Sequence, residues 1–323
     1  MAGQIPRSGV ARKSYCDDLE MQDTLASGDG SVLFKMAARV LTKLKPDYLA
    51  NQRRRKDTRS PERLIAHYEL ERRLADRLRA AGRDERSRLY TEVYSELFNS
   101  LPDHPQKTVA GSRTDRIAKQ VRLLKPLIRP GGVYLEIGCG DALLPFALSG
   151  FAGEVLGLDV TDALVDFPAA PINFRFLKTD GVGIPLAENA VDLAHSDQLM
   201  EHLHVEDAEA QLREIYRVLR PGGRYVCKTP SSVTGPHDIS VFFDEVAKGM
   251  HMREYDYGSL HPLMLRAGFR SVEFPLVVSG YSLATPPYQL LHGIERALQR
   301  LPGRLRHTYL ARFLMGITAV AIK

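Results

Sequence analysis

The stretch VYLEIGCGD, residues 133–141, decides the fold, because an apolar run passes directly into a turn with two glycines. The run predicts a short buried strand, and Gly138 and Gly140 allow the backbone to approach a ligand at the start of the following helix. A dinucleotide-binding turn of the pattern GxGxxG would need a third glycine at position 143, where the sequence has Leu143. Glu136 is a poor neighbour for a pyrophosphate and suits a ligand with an amino group and a positive centre. The turn therefore favours such a cationic ligand over a nicotinamide dinucleotide.

Two further carboxylates stand at the ends of the next two predicted strands. Asp159 ends the second strand, 23 positions after Glu136, and Asp180 follows the third. One carboxylate can accept hydrogen bonds from both hydroxyls of a ribose, and another can accept from an adenine amino group. Ligands of open parallel sheets bind at the carboxyl ends of the strands, so these side chains are expected to share one site.

Short apolar runs alternate with helical periodicity from about residue 112 onward. This alternation is typical of an α/β fold with a parallel sheet that is covered by helices on both faces. The last two strands are candidates for antiparallel pairing. The predicted strands are residues 133–137, 154–158, 173–177, 191–195, 224–228, 270–278 and 316–322.

Two longer motifs follow the glycine turn. Residues 191–203, VDLAHSDQLMEHL, join a strand to an acidic segment with histidine, and residues 213–230, REIYRVLRPGGRYVCKTP, run from an amphipathic helix through Pro-Gly-Gly into a strand. With the glycine turn, Asp159 and Asp180, they resemble the class I S-adenosylmethionine-dependent methyltransferases of the type often called methyltransferase type 11, over about residues 112–280. The resemblance implies a Rossmann-like, seven-stranded, mostly parallel sheet and an enzyme that uses S-adenosylmethionine as its cofactor.

The same resemblance implies the cofactor contacts. Glu136, Gly138 and Gly140 would surround the methionine part of the cofactor, Asp159 would take the ribose hydroxyls, and Asp180 would lie near the adenine. Residues 198–202 would face the methyl group and the acceptor. The complete expected set is Glu136, Gly138, Cys139, Gly140, Asp159, Asp180, Asp197 and Gln198.

Six of the ten histidines fall between residues 195 and 261, where the loops after the fourth and fifth strands would hold an acceptor. His202, His237 and His251 are the catalytic candidates. A neutral histidine can take the proton of a hydroxyl acceptor, or histidine and carboxylate together can hold a divalent ion.

The segment QLMEH, residues 198–202, resembles the ExxEH segment of two metal-dependent groups, the ubiquinone-pathway O-methyltransferases and the small-RNA terminal ribose methyltransferases. Gln198 replaces a carboxylate of that segment, so a base without metal is favoured and no metal ligand is assigned.

The chain is expected to have three parts. Residues 1–30 form a flexible lead-in, residues 31–111 a helical cap or lid, and residues 112–323 the methyltransferase domain, with a helical insertion before the last strand at about residues 285–313. The insertion has five arginines and one acid, Glu295, so it could rest on an anionic membrane, although a helix packed on the core or on a second copy is favoured. The five are Arg296, Arg300, Arg304, Arg306 and Arg312.

Composition limits the class of protein. The 323 residues are 44% hydrophobic and 26% charged, as in globular chains with a core, and three widely spaced cysteines argue against a disulfide framework. No apolar run reaches the roughly 20 residues of a membrane span, and the N-terminus lacks the apolar core of a signal peptide, so a cytoplasmic protein is expected. The net charge of +5 arises within residues 1–110, where the basic run 53–56 is expected to be a solvated surface.

The favoured function is methyl transfer to an oxygen of a small molecule, such as a sugar, a glycolipid or another hydroxyl acceptor, with a histidine as general base. The first alternative is a metal-assisted RNA ribose methyltransferase that grips RNA with the basic N-terminal third, although nucleic acid is not the favoured partner. The others are a methyltransferase-like binding protein without turnover and a nicotinamide oxidoreductase.

Overall fold

The computed structural model describes residues 43–103, 111–302, 306, 311 and 316–323. The expected lead-in, residues 1–30, lies outside them, as does most of the expected insertion beyond residue 302. The helices of the described part are α1 (Tyr48–Arg55), α2 (Pro61–Ala80), α3 (Arg83–Ser100), α4 (Gly111–Leu124), α5 (Leu143–Leu148), α6 (Val205–Val218), α7 (Tyr257–Arg266) and α8 (Tyr288–Gln299). None of these helices is long and apolar enough to cross a membrane.

Seven strands form one sheet in the order β3-β2-β1-β4-β5-β9-β6. The strands are β1 (Val133–Ile137), β2 (Glu154–Asp159), β3 (Phe174–Lys178), β4 (Val191–Asp197), β5 (Leu219–Pro230), β6 (Ser271–Glu273) and β9 (Gly316–Ile322). The first five pair in parallel, and β9 is antiparallel to both β5 and β6. The seven-stranded, mostly parallel, Rossmann-like sheet is confirmed, and α8 lies in the helical insertion before the last strand.

The predicted strand over residues 270–278 is wrong in its extent. It ends at Glu273, and β7 (Leu276–Val278) pairs instead with β8 (Tyr281–Ala284) in a separate two-stranded hairpin. Pro275 separates the two strands and has no amide hydrogen to donate to a sheet. The hairpin turns at Ser279 and Gly280, which both have positive φ angles.

Alternate residues along the strands face opposite helical layers. Tyr134 of β1 packs with α4 and α5 in one apolar cluster, whereas Leu135 and Ile137 belong to the cluster on the other face. That second cluster also contains side chains of α6 and α7. The core therefore lies on both sides of the sheet, and the carboxyl ends of β1 to β5 open at one edge.

The N-terminal helices α2 and α3 share this second cluster with the sheet. Leu74 and Leu78 of α2 and Val93 and Leu97 of α3 are buried in the same cluster as Leu135. Helix α2 begins locally as its sequence dictates, because the Ser60 side chain accepts a hydrogen bond from the Arg63 amide and Pro61 occupies the first turn. The helical region before residue 111 is thus packed into the core beside the seven-stranded sheet.

Candidate active site

The turn after β1 has a backbone that only small residues adopt easily. Gly138 and Gly140 have φ angles of +72° and +54°. A Cβ atom at Gly138 would lie 3.1 Å from Leu199 Cδ1, whereas one at Gly140 would meet nothing within 4 Å. The Gly140 amide donates to Asp159 Oδ2 at 2.8 Å. The end of β2 therefore holds the turn, and its open side remains accessible to a ligand.

Glu136 is a buried carboxylate in need of a partner. Its Oε2 has no hydrogen-bond partner among the residues that the structure describes, and its Oε1 lies 3.6 Å from His195 Nδ1. Burial lowers the pKa of His195 to about 4, so the imidazole is neutral near pH 7 and does not compensate the carboxylate. Burial, and next the carboxylates of Asp197 and Asp141, hold the pKa of Glu136 well above its usual range. A ligand with an amino group or a positive centre fits this arrangement.

Asp159 and Asp180 stand at the ends of their strands as expected. Burial raises the pKa of Asp159, although three backbone amides donate to its carboxylate, those of Gly140, Val160 and Thr161. Asp180 is less buried, and the amides of Val182 and Gly183 hold its pKa below the usual value against the effect of burial. Cys139 is buried, and burial raises the pKa of its thiol.

The end of β4 carries Asp197 and Gln198. Gln120 of α4 donates to Asp197 Oδ2, and Lys228 Nζ of β5 lies 3.4 Å from Asp197 Oδ1. Gln198 has a φ angle of +58°, in the left-handed region that is rare for residues other than glycine, and its amide donates to the Lys228 carbonyl oxygen at 2.9 Å. Such a strained residue at a strand end is frequent in functional sites.

Directly after this strand end, Glu201, His202 and His251 come together. One ligating atom of each lies within 4.8 Å of the others. Glu201 and His202 belong to the short 3₁₀ helix Met200–His202, and His251 comes from the segment 231–256. His202 and His251 were predicted as catalytic residues. Glu201, the acidic residue of the QLMEH segment, was not predicted.

Hydrogen bonds fix the orientation of all three side chains. Glu201 Oε2 accepts from the Thr229 hydroxyl at 2.9 Å. His202 Nδ1–H donates to the Met250 carbonyl oxygen at 3.2 Å, which leaves the lone pair of a neutral ring on Nε2. His251 Nδ1–H donates to Glu254 Oε1 at 2.7 Å.

The charges of the cluster are strongly perturbed. Burial raises the pKa of Glu201 to about 7, with the charge of His251 opposing the shift. Burial lowers the pKa of His251, but its hydrogen bond to Glu254 and the charge of Glu201 outweigh this effect and raise that pKa to about 9. His251 is therefore a cation near neutral pH and is not available there as a proton acceptor.

His237 is placed apart from this cluster. Its Nε2 lies 3.0 Å from the Ser231 carbonyl oxygen and 3.1 Å from Thr234 Oγ1. Burial lowers the pKa of the ring. The backbone amide of His237 donates to Glu254 Oε1 at 2.6 Å, so the residue contacts the same carboxylate that holds His251.

The segment 231–256 is tied to the N-terminal helices. Glu71 of α2 is buried, and its Oε2 accepts from the Met250 amide at 3.1 Å. Arg55 of α1 donates to the carbonyl oxygens of His237 and Pro236 at 3.0 and 3.3 Å. Residues 53–56 are exposed, as expected for a solvated run, but Arg55 also makes these contacts. The helical region before residue 111 therefore positions the segment that carries His251.

A cleft of about 500 Å³ lies next to this strand end, and its lining includes Gln120 and Lys228, which both contact Asp197. Helix α4, the hairpin β7–β8 and the ends of β5 and β9 surround it. Its charged lining residues are Arg116, Lys119 and Lys228. These residues were not predicted for the site, because Arg116 and Lys119 of α4 lie far from Lys228 of β5 in the sequence.

Residues 135–227 match the methyltransferase domain family. A probable S-adenosylmethionine-dependent methyltransferase of Mycolicibacterium smegmatis is 32% identical over 178 residues, which cover 53% of this chain and 65% of that protein. A demethylmenaquinone methyltransferase of Lactococcus lactis subsp. lactis is 26% identical over 214 residues, which cover 57% of this chain and 84% of that protein. Among solved structures, the 1,6-didemethyltoxoflavin-N1-methyltransferase of Burkholderia thailandensis is 17% identical, with 75% of this chain and 91% of that chain covered and a TM-score of 0.49.

The match to the mycolicibacterial relative thus covers slightly less than two thirds of that protein. The family match contains the glycine turn, Asp159, Asp180 and the segment with Glu201 and His202. These residues lie at the carboxyl edge of the seven-stranded, mostly parallel sheet. Residues 135–227 therefore resemble the methyltransferase domain of S-adenosylmethionine-dependent methyltransferases in both sequence and fold.

Proposed function

We propose that this protein catalyses S-adenosylmethionine-dependent methyl transfer to a hydroxyl oxygen of a small-molecule acceptor. The observation that carries the proposal is the placement of His202 beside Glu201 and His251, four residues beyond the strained end of β4. A sugar, a glycolipid or another hydroxyl compound would satisfy this chemistry.

The cofactor would be held by residues at the edge of the sheet. Glu136 supplies a buried acceptor for its amino group, Asp159 for its ribose hydroxyls and Asp180 for its adenine, while Gly138, Cys139 and Gly140 shape the turn that lies against it. Asp197 and Gln198 complete the set at the end of β4. The bound cofactor supplies an electrophilic methyl group on a sulfonium, so the chain itself provides position and a base.

His202 is the residue that we assign as the base. Its Nδ1–H donates to the Met250 carbonyl, so in the neutral ring Nε2 is the atom that can accept a proton. His251 and Glu201 contribute charge and position, because the imidazolium favours the nearby anionic forms. His237 acts as a positioning residue through its amide contact with Glu254.

The test is turnover on a panel of hydroxylated acceptors, measured as S-adenosylhomocysteine release. His202→Gln is expected to lower kcat by about 10²- to 10⁴-fold, the usual contribution of a general base. His292→Gln on α8 is the matched control and should leave kcat unchanged. Equal activity of the His202 and His292 variants would exclude His202 as the base.

A second candidate is methyl transfer to a diol held by a divalent ion. The separation of the ligand atoms of Glu201, His202 and His251 favours it, because one ion can reach all three. His251 would have to lose its proton for this role. Calorimetric titration of Mg²⁺ and Mn²⁺ into protein saturated with S-adenosylhomocysteine separates the two candidates. Stoichiometric binding that disappears in His202→Ala supports the metal site, and the absence of binding leaves the histidine base.

A further inference from the structure

We propose that the hairpin β7–β8 and helix α8 form a docking face that rests on the surface of an anionic lipid bilayer. We define the docking face by its exposed large apolar side chains. These are Val278, Tyr281, Leu283, Leu290, Ile294 and Leu301, which are between 37% and 65% exposed.

The docking face is unusually apolar for a solvated surface. Its six residues are clustered within 24 positions of the chain, whereas isolated exposed apolar residues are ordinary on soluble proteins. Helix α8 already buries Leu291 and Leu298 against the protein. Leu290 and Ile294 lie on an adjacent side of the helix and remain exposed, so this helix has more apolar surface than its own core contact requires.

The charges along this stretch of the sequence favour an anionic partner. Glu295 is the only acidic residue in the sequence from 276 to 323, and it is buried. Its carboxylate accepts from the amides of Tyr257 and Gly258 at 2.8 and 3.1 Å, at the start of α7. Arg296 and Arg300 of α8 are exposed. An apolar face with the cations Arg296 and Arg300 on the same helix matches the interfacial region of an anionic bilayer, where apolar side chains enter the headgroup boundary and arginines meet phosphate.

The hairpin packs against α4 next to the cleft. Gly280 has a φ of +86° and lies so close to α4 that a Cβ atom would overlap the Lys119 carbonyl oxygen. The Arg122 guanidinium of α4 lies 5.6 Å from the centre of the Tyr281 ring. Val278, Ser279 and Gly280 also line the cationic cleft beside Asp197. The docking face therefore borders that cleft, and a docked protein would hold the cleft beside the bilayer surface.

The test is co-sedimentation of the full-length protein with phosphatidylcholine vesicles that contain or lack 30% phosphatidylglycerol. Binding is expected only with the anionic vesicles and should weaken as salt is raised from 0.1 to 0.5 M. Arg296→Gln/Arg300→Gln is expected to lower the partition coefficient about 30-fold, from about 1 kcal/mol for each cation near the surface. Leu283→Ser/Leu290→Ser should lower it at least 10-fold.

Two control variants change the same residue types on other surfaces. Leu164→Ser/Ile172→Ser removes two exposed apolar side chains, and Arg83→Gln/Arg88→Gln removes two exposed cations of α3. Both should bind anionic vesicles as the unmodified protein does. Equal losses in the control and test variants, or no binding to anionic vesicles, would overturn the proposal. Sedimentation equilibrium gives a further refutation: a stable dimer that Leu283→Ser/Leu290→Ser converts to monomer, without vesicle binding, would assign the face to a second copy.

Discussion

The ion pair between Arg86 of α3 and Asp207 of α6 is the contact whose removal we expect to be most costly. The Arg86 Nε and Nη2 atoms donate to the two carboxylate oxygens of Asp207 at 2.7 and 3.0 Å. The residues are 2% and 1% exposed. Arg86→Met keeps most of the side-chain length but leaves Asp207 buried without its cation. Removal of one partner of a buried pair costs about 3–5 kcal/mol.

A surface pair of the same length provides the control. Arg213 Nη2 lies 2.6 Å from Glu209 Oε1, but these side chains are 64% and 30% exposed. Arg213→Met is expected to cost less than about 1 kcal/mol, because water solvates the remaining carboxylate. Burial rather than distance thus decides the cost.

Urea unfolding monitored by circular dichroism measures both free energies. Arg86→Met/Asp207→Leu should recover a large part of the loss, because two apolar residues leave no buried charge. A loss below about 1 kcal/mol for Arg86→Met, equal to that of Arg213→Met, would refute the reasoning.

A functional effect is also expected, since the Tyr90 hydroxyl donates to Asp207 Oδ2 and accepts from the His204 amide. This chain of bonds ends two residues from His202.

Three further predictions concern the site. His195 has a pKa of about 4 in the folded protein, below the unfolded value of 6.5, so the unfolded state binds more protons and stability falls as pH falls from 6.5 to 4. In the His195→Asn variant, the decrease in the free energy of unfolding between pH 7 and pH 4 should be about 3 kcal/mol smaller. Urea unfolding at the two pH values measures this difference. Gly138→Ala should destabilise the protein more than Gly140→Ala does, by about 1 kcal/mol or more, because both have positive φ but only the Gly138 methyl would press on Leu199; equal melting temperatures would contradict this. Asp159→Ala should weaken calorimetric binding of S-adenosylhomocysteine by at least about 10-fold, and unchanged affinity would exclude Asp159 from the site.

The sheet was predictable because its strands are buried. Strands covered on both faces appear as continuous apolar runs, and the runs at 133–137 and 154–158 match β1 and β2 to within one residue. The hairpin β7–β8 was not predictable in the same way. All four residues of β8 are exposed, so no buried apolar run marks the strand.

The cluster of Glu201, His202 and His251 shows why the candidate site was only partly predictable. Glu201 and His202 are adjacent in the QLMEH segment, but His251 reaches them only because the segment 231–256 folds back onto them. The Arg253 amide donates to the Glu201 carbonyl oxygen at 3.2 Å. The sequence offered both His237 and His251 for this place, and nothing in their local spacing distinguishes them. The distinction arises from contacts between distant parts of the chain, among them the contact of Glu71 with Met250.

The carboxylates of Glu136 and Asp159 at the glycine turn are buried, and this is unfavourable for their charged forms in the absence of a ligand. Burial alone raises the pKa of Glu136 and Asp159, and Asp141 and Asp197 add repulsion to Glu136. Replacement of such groups by apolar residues would relieve this repulsion and stabilise the empty protein. The carboxylates become favourable when a cation lies among them, because the low dielectric that penalises an unpaired charge also strengthens a paired one. By the same argument, these carboxylates would bind a cationic sulfonium more tightly than its neutral thioether product. Loss of the positive charge during methyl transfer would therefore lower the affinity for the product.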